Sequence, residues 1–147
     1  MQLTLHADYS LRVLLYLAEN PERAVSAQEI SNAYGISRNH LVRVVQTLHA
    51  QGFVRVSAGR NGGARLARPP AEINLGQVVR RTEPNFRIVE CFDLVTNTCP
   101  IEPVCKLKDV LQEALESFFR VLERHTLADL TRMPRGGGRL SDLLHIQ

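Results

Sequence analysis

Between Ser26 and Leu66 the sequence leaves the chain few ways to fold. Ser26 precedes "AQEISNAY" and is a good helix N-cap, and Glu29 three residues on completes the pattern of a capping box. Gly35 supplies a turn, and Ser37 caps a second helix from Arg38 to about Ala50. In that helix Leu41, Val44, Val45 and Leu48 recur at helical spacing as a buried stripe, and Gly52 is placed to end it. Two short helices across a tight turn containing Gly form a helix-turn-helix. Directly after it, "FVRVSAGRNGGARLA" (53–67) reads as two short strands around a turn holding Gly59, Gly62 and Gly63. A helix-turn-helix followed at once by a basic hairpin is the winged-helix arrangement.

The chemistry on these elements suits DNA. Ser37, Arg38, Asn39, His40 and Arg43 lie at the exposed start of the second helix, where Arg reads guanine and Asn reads adenine in a major groove. Arg60 and Asn61 sit on the wing turn and Arg65 just beyond, placed for the backbone or a narrow minor groove. Taken alone, the helix pair could equally be a solvated polar face. The wing and the charge distribution tip the reading towards DNA: residues 1–70 carry eight Arg against four acidic groups, and residues 71–147 ten basic against eleven acidic groups. A phosphate-binding loop does not fit, because "GRNGG" opens no helix and lacks the Lys-Ser/Thr ending.

Outside this unit the chain reads as helical. A helix over Ala7–Glu19 precedes it, with Leu11, Leu14, Leu15 and Ala18 on one face, and Pro21 punctuates its end. A short helix follows the linker "PPAEI", with Asn74 as N-cap. One long helix runs from about Pro103 to Arg124, with Val104, Leu107, Leu111, Ala114, Leu115, Phe118 and Leu122 on one face, widened by Val110 and Phe119. So broad an apolar face needs a partner, and the same helix of a second chain in a two-fold dimer is the simplest one. Thr126 can cap "LADL". The expected fold is mainly α: a winged helix-turn-helix region (1–70), a loop and long dimerisation helix (71–132), and a flexible tail (133–147). No apolar run reaches the length of a membrane span, and "VLLYLA" (13–18) lacks a basic leader, so a cytoplasmic place is expected.

All three cysteines fall within "CFDLVTNTCPIEPVC", spaced Cys91-x7-Cys99-x5-Cys105. Cys105 lies at the start of the long helix, where the helix dipole favours the thiolate. The close Cys pairs of zinc sites are absent, as is the fourth Cys of ferredoxins. Three thiolates could hold an iron–sulfur cluster with one iron ligated by something else. A redox disulfide with one spare thiol is the rival reading. The five His (His6, His40, His49, His125, His145) and the acids show no paired spacing that points to catalysis, so no enzyme is expected.

"MQLTLHADYSLRVLLYLA", "YGISRNHLVR", "GRNGGARL" and "CPIEPVCKLKDVLQEAL…TLADL" resemble the winged-helix iron–sulfur regulators, the family that includes IscR and RirA. Within it, "YGISRNHLV" and "CKLK" resemble the nitric-oxide-sensing repressors of the NsrR group. The resemblance runs from Met1 to about Leu130. It implies a homodimeric repressor on a palindromic double-stranded operator, with nitric oxide as effector and a cluster, 4Fe–4S rather than 2Fe–2S, held by Cys91, Cys99 and Cys105. IscR-type proteins carry a ligand His two residues after the last Cys, and here that place is Leu107. NsrR-type proteins are similar in using an Asp near the N-terminus, donated by the other subunit; Asp8 matches it, with His6 as a substitute. Read without the resemblance, Asp8 is simply a favourable charge at a helix N-terminus. The wide Cys91–Cys99 spacing resembles RirA-type regulators, which keeps iron or cluster supply open as the signal. An electron-transfer component is the reading from another class, and the winged helix speaks against it.

Overall fold

The computed structural model describes residues 2–60, 62–131, 142 and 144. Eight elements follow in order: α1 (Leu5–Ala18), α2 (Ala27–Tyr34), α3 (Arg38–Ala50), β1 (Val54–Ser57), β2 (Gly63–Leu66), α4 (Leu75–Thr82), α5 (Lys106–Glu123) and α6 (Leu127–Thr131). Short 3-10 turns at Pro70–Glu72, Glu90–Phe92 and Glu102–Val104 link the later ones. The fold is a winged helix-turn-helix with a long helix appended, as expected. The tail from 133 onward lies almost wholly outside the described residues; within it, Leu144 packs against the main core.

The helix boundaries follow local chemistry. Thr4 caps α1 by accepting from the Ala7 N–H at 3.2 Å, so the helix begins two residues before Ala7. Ser26, Ser37 and Asn74 cap α2, α3 and α4 through their side chains. Gly35 ends α2 at φ 66°, a left-handed conformation that glycine adopts without a Cβ penalty. In the wing, β1 and β2 pair antiparallel with Val54 opposite Leu66 and Arg55 opposite Arg65. Val25, just before α2, adds a third edge: its N–H donates to the Ala64 carbonyl at 2.9 Å and its carbonyl accepts from the Ala64 N–H at 2.8 Å. Gly63 permits this, because a Cβ there would stand 2.5 Å from the Val25 carbonyl oxygen.

The capping box is only half formed. Ser26 accepts from the Glu29 N–H, but the Glu29 carboxylate turns away to Tyr16 Oη at 3.0 Å and Arg23 Nη1 at 2.8 Å. A charged fork outcompetes a single backbone N–H for a carboxylate. Arg23 holds the Glu29 carboxyl below its usual range, against an opposing effect of burial. Stability from a depressed carboxyl is present above its unfolded pKa of about 4.3 and is lost as pH falls through the folded value. Glu29→Gln should therefore cost about 1 kcal/mol at neutral pH, and the difference from wild type should vanish in acid. Urea denaturation at neutral pH and in acid checks both.

The main core joins α1, α3 and the strands to segments far along the chain. Val13, Leu14 and Leu17 of α1 meet Leu41, Val44 and Leu48 of α3, together with Phe53, Ile73, Val78 and Leu127. The expected α1 stripe is therefore too narrow: Val13 and Leu17 are fully buried, whereas Leu11, Leu15 and Ala18 are half-buried. The helix sits between α3 on one side and α4 and α6 on another, so most of its surface is covered.

A second cluster, built on Val79, Leu115 and Phe119 with Phe86, Ile88, Phe92, Phe118 and Leu122 around it, fixes α5 to its own protomer. The Phe86 ring stands edge-on to Phe119 at 4.6 Å between centroids, and the Arg80 guanidinium covers Phe119 at 3.7 Å while bonding Glu123 at 2.9 Å. This corrects the expected single face of α5. Leu115, Phe118 and Leu122 face inward, while Leu107, Val110, Ala114, Ser117 and Val121 form a separate exposed stripe. The helix also starts later than expected. Pro103 belongs to a 3-10 turn, and Cys105 is the N-cap residue with extended backbone, φ −83° and ψ 101°.

Candidate functional site

Two regions gather the residues singled out by sequence. The first is the outer surface of α3 and the wing. The Ser37 hydroxyl accepts from the His40 N–H, so it is engaged in capping. Arg38, Asn39 and Arg43 project from the exposed side of α3, and Arg60 is exposed on the wing turn. Asn61 lies outside the described residues. Arg65 is exposed and donates from Nη1 to the Glu22 carbonyl at 3.1 Å. His40 is half-buried: its ring meets Tyr9 of α1 edge-on at 5.1 Å, so part of it serves packing. Among the described residues no carboxylate pairs with Arg38, Arg43, Arg55 or Arg60, in contrast to Arg12, Arg23, Arg80 and Arg87. Cations left without acids on one module are what a polyanion needs.

Sequence reading missed Arg55. The signal was available, because in "FVRVS" Arg55 occupies the outward phase of a strand, and counting register across the turn sets it opposite Arg65.

The second region is the cysteine loop. All three thiols are free; Cys91 is buried, and Cys99 and Cys105 are half-buried. Acidic side chains fold the loop between them. Asp93 accepts from the Val95 N–H at 3.1 Å and from Thr96 Oγ1 at 2.8 Å, and pairs with Arg87. The Thr96 and Val95 bonds, helped by Arg87, pull its carboxyl below the usual range. Glu90 accepts from the Thr98 N–H at 2.7 Å and from its hydroxyl at 2.6 Å, which lowers its carboxyl likewise. The Asn97 side chain then accepts from the Cys99 N–H at 3.1 Å. Cys91 opens on a cleft of about 430 Å³ lined also by Arg87, Lys108 and Gln112. Lys108 is bonded to Glu102, which holds its ammonium above the usual lysine range.

Three free thiols on one short loop are soft donors of the kind that hold an iron–sulfur group. The loop does not draw them together by itself: among the described residues no three His, Cys, Asp or Glu side chains stand close enough to hold one metal ion.

Asp8 lies in the first turn of α1, and both its oxygens are taken by Arg12, Oδ1 by Nε at 3.2 Å and Oδ2 by Nη2 at 2.7 Å. The same guanidinium lies 5.7 Å from the Tyr9 ring and 6.0 Å from that of Tyr34. Burial pushes the Tyr34 hydroxyl up to about 12, so it stays protonated and donates to the Arg12 carbonyl at 3.3 Å. Arg12 thus joins α1, α2 and, through Tyr9 and His40, the start of α3. His6, the substitute, is half-buried on the same turn.

Comparison with known proteins agrees with this layout. The family profile Rrf2, described as an iron-dependent transcriptional regulator, matches residues 3–133. The HTH-type transcriptional regulator NsrR of Halalkalibacterium halodurans is 53% identical over 131 residues, covering 88% of this chain and 90% of the relative. The regulator of the same name from Bacillus subtilis is 50% identical over 133 residues, covering 90% and 91%. Among solved structures, T. potens IscR superposes with a TM-score of 0.72 at 24% identity, over 92% of this chain and 94% of that one. CymR, the global cysteine regulator of B. subtilis, does so at 0.71 and 23% identity, over 88% and 95%.

Proposed function

The chain belongs to the Rrf2 family of transcriptional regulators, and from that premise we propose that it is a homodimeric DNA-binding repressor that senses nitric oxide through an iron–sulfur cluster. Cys91, Cys99 and Cys105 of one protomer would hold the cluster, of the 4Fe–4S kind, with Asp8 of the partner subunit as the fourth ligand. A cytoplasmic place, where thiols stay reduced, suits three free cysteines. When bound, the cluster supplies iron with which nitric oxide reacts directly.

The observation that carries this reading is the position of Arg12 between Asp8 and the reading helix. A carboxylate is a harder and weaker iron ligand than a thiolate, so the iron it holds is the labile one. Asp8 drawn to the partner's loop must loosen its grip on Arg12, and Asp8 released from it takes Arg12 back. Either change alters what lies over Tyr9, whose ring supports His40 at the start of α3. The bistable element is this α1–α3 contact, and operator affinity follows because two reading helices must enter successive major grooves in register.

Arg38 and Arg43 would contact bases and Arg60 and Arg65 phosphates, with Ser37, Asn39, His40 and Asn61 as further contacts. Arg38→Ala or Arg43→Ala should each weaken operator binding by about 1–3 kcal/mol. Arg60→Ala should instead weaken binding to all sequences and lower the salt slope by about one. Fluorescence anisotropy over a salt series distinguishes these effects. Loss of neither would contradict the winged-helix interface.

A second reading, sensing of iron or cluster supply with the same DNA-binding end, is favoured by the iron dependence in the family's description and by the long Cys91–Cys99 spacing. Titrating operator binding of anaerobic protein with nitric oxide and, separately, with an iron chelator decides between them. Release by stoichiometric nitric oxide, with chelator slow or without effect, supports the first reading. Release by chelator alone supports the second.

A further inference from the structure

Arg55 and Arg65 are direct cross-strand partners on the outer side of the wing, and both are exposed. In an antiparallel pair, directly opposed residues project to the same face about 4.5–5.5 Å apart at Cβ, and like charges there repel. A hairpin under no other demand would place a carboxylate or a neutral residue opposite an arginine. Here the nearest stabilising contact is a backbone carbonyl: Glu22 accepts from Arg65 Nη1 at 3.1 Å, and Arg55 has no hydrogen-bond or ion-pair partner among the described residues. The pair is also held rigidly. The Val25–Ala64 bonds pin β2 next to Arg65, and Val54, next to Arg55, is fully buried.

We infer that Arg55 and Arg65 together form a phosphate clamp, with Arg55 a nucleic-acid contact of the wing, so that the repulsion between them is relieved when a backbone phosphate lies between the two guanidinium groups. The ligand class is the phosphodiester of duplex DNA, held by charge and fork-shaped donors rather than by base edges. The inference rests on the DNA-binding reading above and adds to it a residue and a cost: the free wing is less stable than it would be without Arg55.

Two measurements on the full-length protein test it. The first is binding to a short mixed-sequence duplex over a salt series. Arg55→Gln should weaken binding about tenfold at every salt concentration because Arg65 alone then holds the phosphate, and Arg55→Lys should keep most of the affinity. Arg55→Gln with Arg65→Gln, which leaves that phosphate uncontacted, should lower the slope of log affinity against log salt by about one. The second is thermal unfolding without DNA at low salt, where Arg55→Gln should raise the midpoint by about 1–3 °C, an increase that disappears in high salt. Unchanged affinity in Arg55→Gln while wild type binds normally would overturn the clamp and leave the DNA-binding reading standing. A midpoint that falls in low salt would overturn it too, because Arg55 would then have a partner within the protein. Wild-type protein that binds no duplex at all would overturn the DNA-binding reading and the clamp together.

Discussion

Cys91→Ala, Cys99→Ala and Cys105→Ala should each abolish the visible iron–sulfur absorbance of anaerobically prepared protein, whereas Asp8→Ala should retain it. The four positions differ in kind. Each thiol is one of three soft donors on a short loop, and losing one leaves too few thiolates to retain the group against competing thiols in solution. Asp8 lies on α1, outside the loop, and its loss leaves all three thiolates in place with one iron open to water. Its structural contribution is small, since an exposed pair four residues apart on a helix is worth at most about 0.5 kcal/mol. Asp8→Ala should therefore fold normally, carry a cluster and bind operator with altered response to nitric oxide. A disulfide-based switch predicts a different pattern: no bound iron in wild type and no role for Asp8. If Asp8→Ala lost its colour as completely as the cysteine variants, the carboxylate would be an essential ligand rather than the labile one.

Leu107→Asp combined with Val121→Asp should convert the protein from dimer to monomer without unfolding it. Leu107, Val110, Ala114, Ser117 and Val121 succeed one another at alternating spacings of three and four residues, the seam of a paired helix. Leu107, Val110 and Val121 are 63%, 60% and 47% exposed, too much apolar surface in one row to be left in water. Val104 and Ile101, in the turn that precedes α5, are exposed apolar side chains as well. A carboxylate forced into such a seam costs roughly 3 kcal/mol or more, over a hundredfold in the dimer dissociation constant. Sedimentation should show monomer, and operator affinity should collapse because one half-site alone binds weakly. Leu115→Asp is the control. That side chain is 9% exposed against Val79 and Phe119, so this change should unfold the protomer itself. A Leu107→Asp, Val121→Asp double variant that remains a DNA-binding dimer would show that the stripe is not the interface.

These particulars mark where sequence was sufficient and where it was not. The helix-turn-helix and wing were legible because their boundaries have local causes, such as Ser26 and Ser37 as caps or Gly35 in a left-handed turn. The division of α5 into two faces was not legible. Periodicity marks which residues are apolar, but only tertiary packing decides that Phe86 and Arg80 cover Phe119 and leave Val110 bare. Glu29 shows the same limit on a smaller scale, since no local pattern reveals that Tyr16 and Arg23 would take its carboxylate from the cap. The depth of α1 was not legible either, because Ile73, Val78 and Leu127 come to its core from far along the chain. The thiol set was legible as a set, while the relation of Asp8 to α3 through Arg12, Tyr9 and His40 emerges only in three dimensions.

The most direct test of the central claim is iron and sulfide analysis of wild-type protein purified and reconstituted without oxygen. About four irons and four sulfides per protomer are expected for the 4Fe–4S group proposed on Cys91, Cys99 and Cys105. A stoichiometry near zero after careful reconstitution would contradict it, and the three thiols would then need another function.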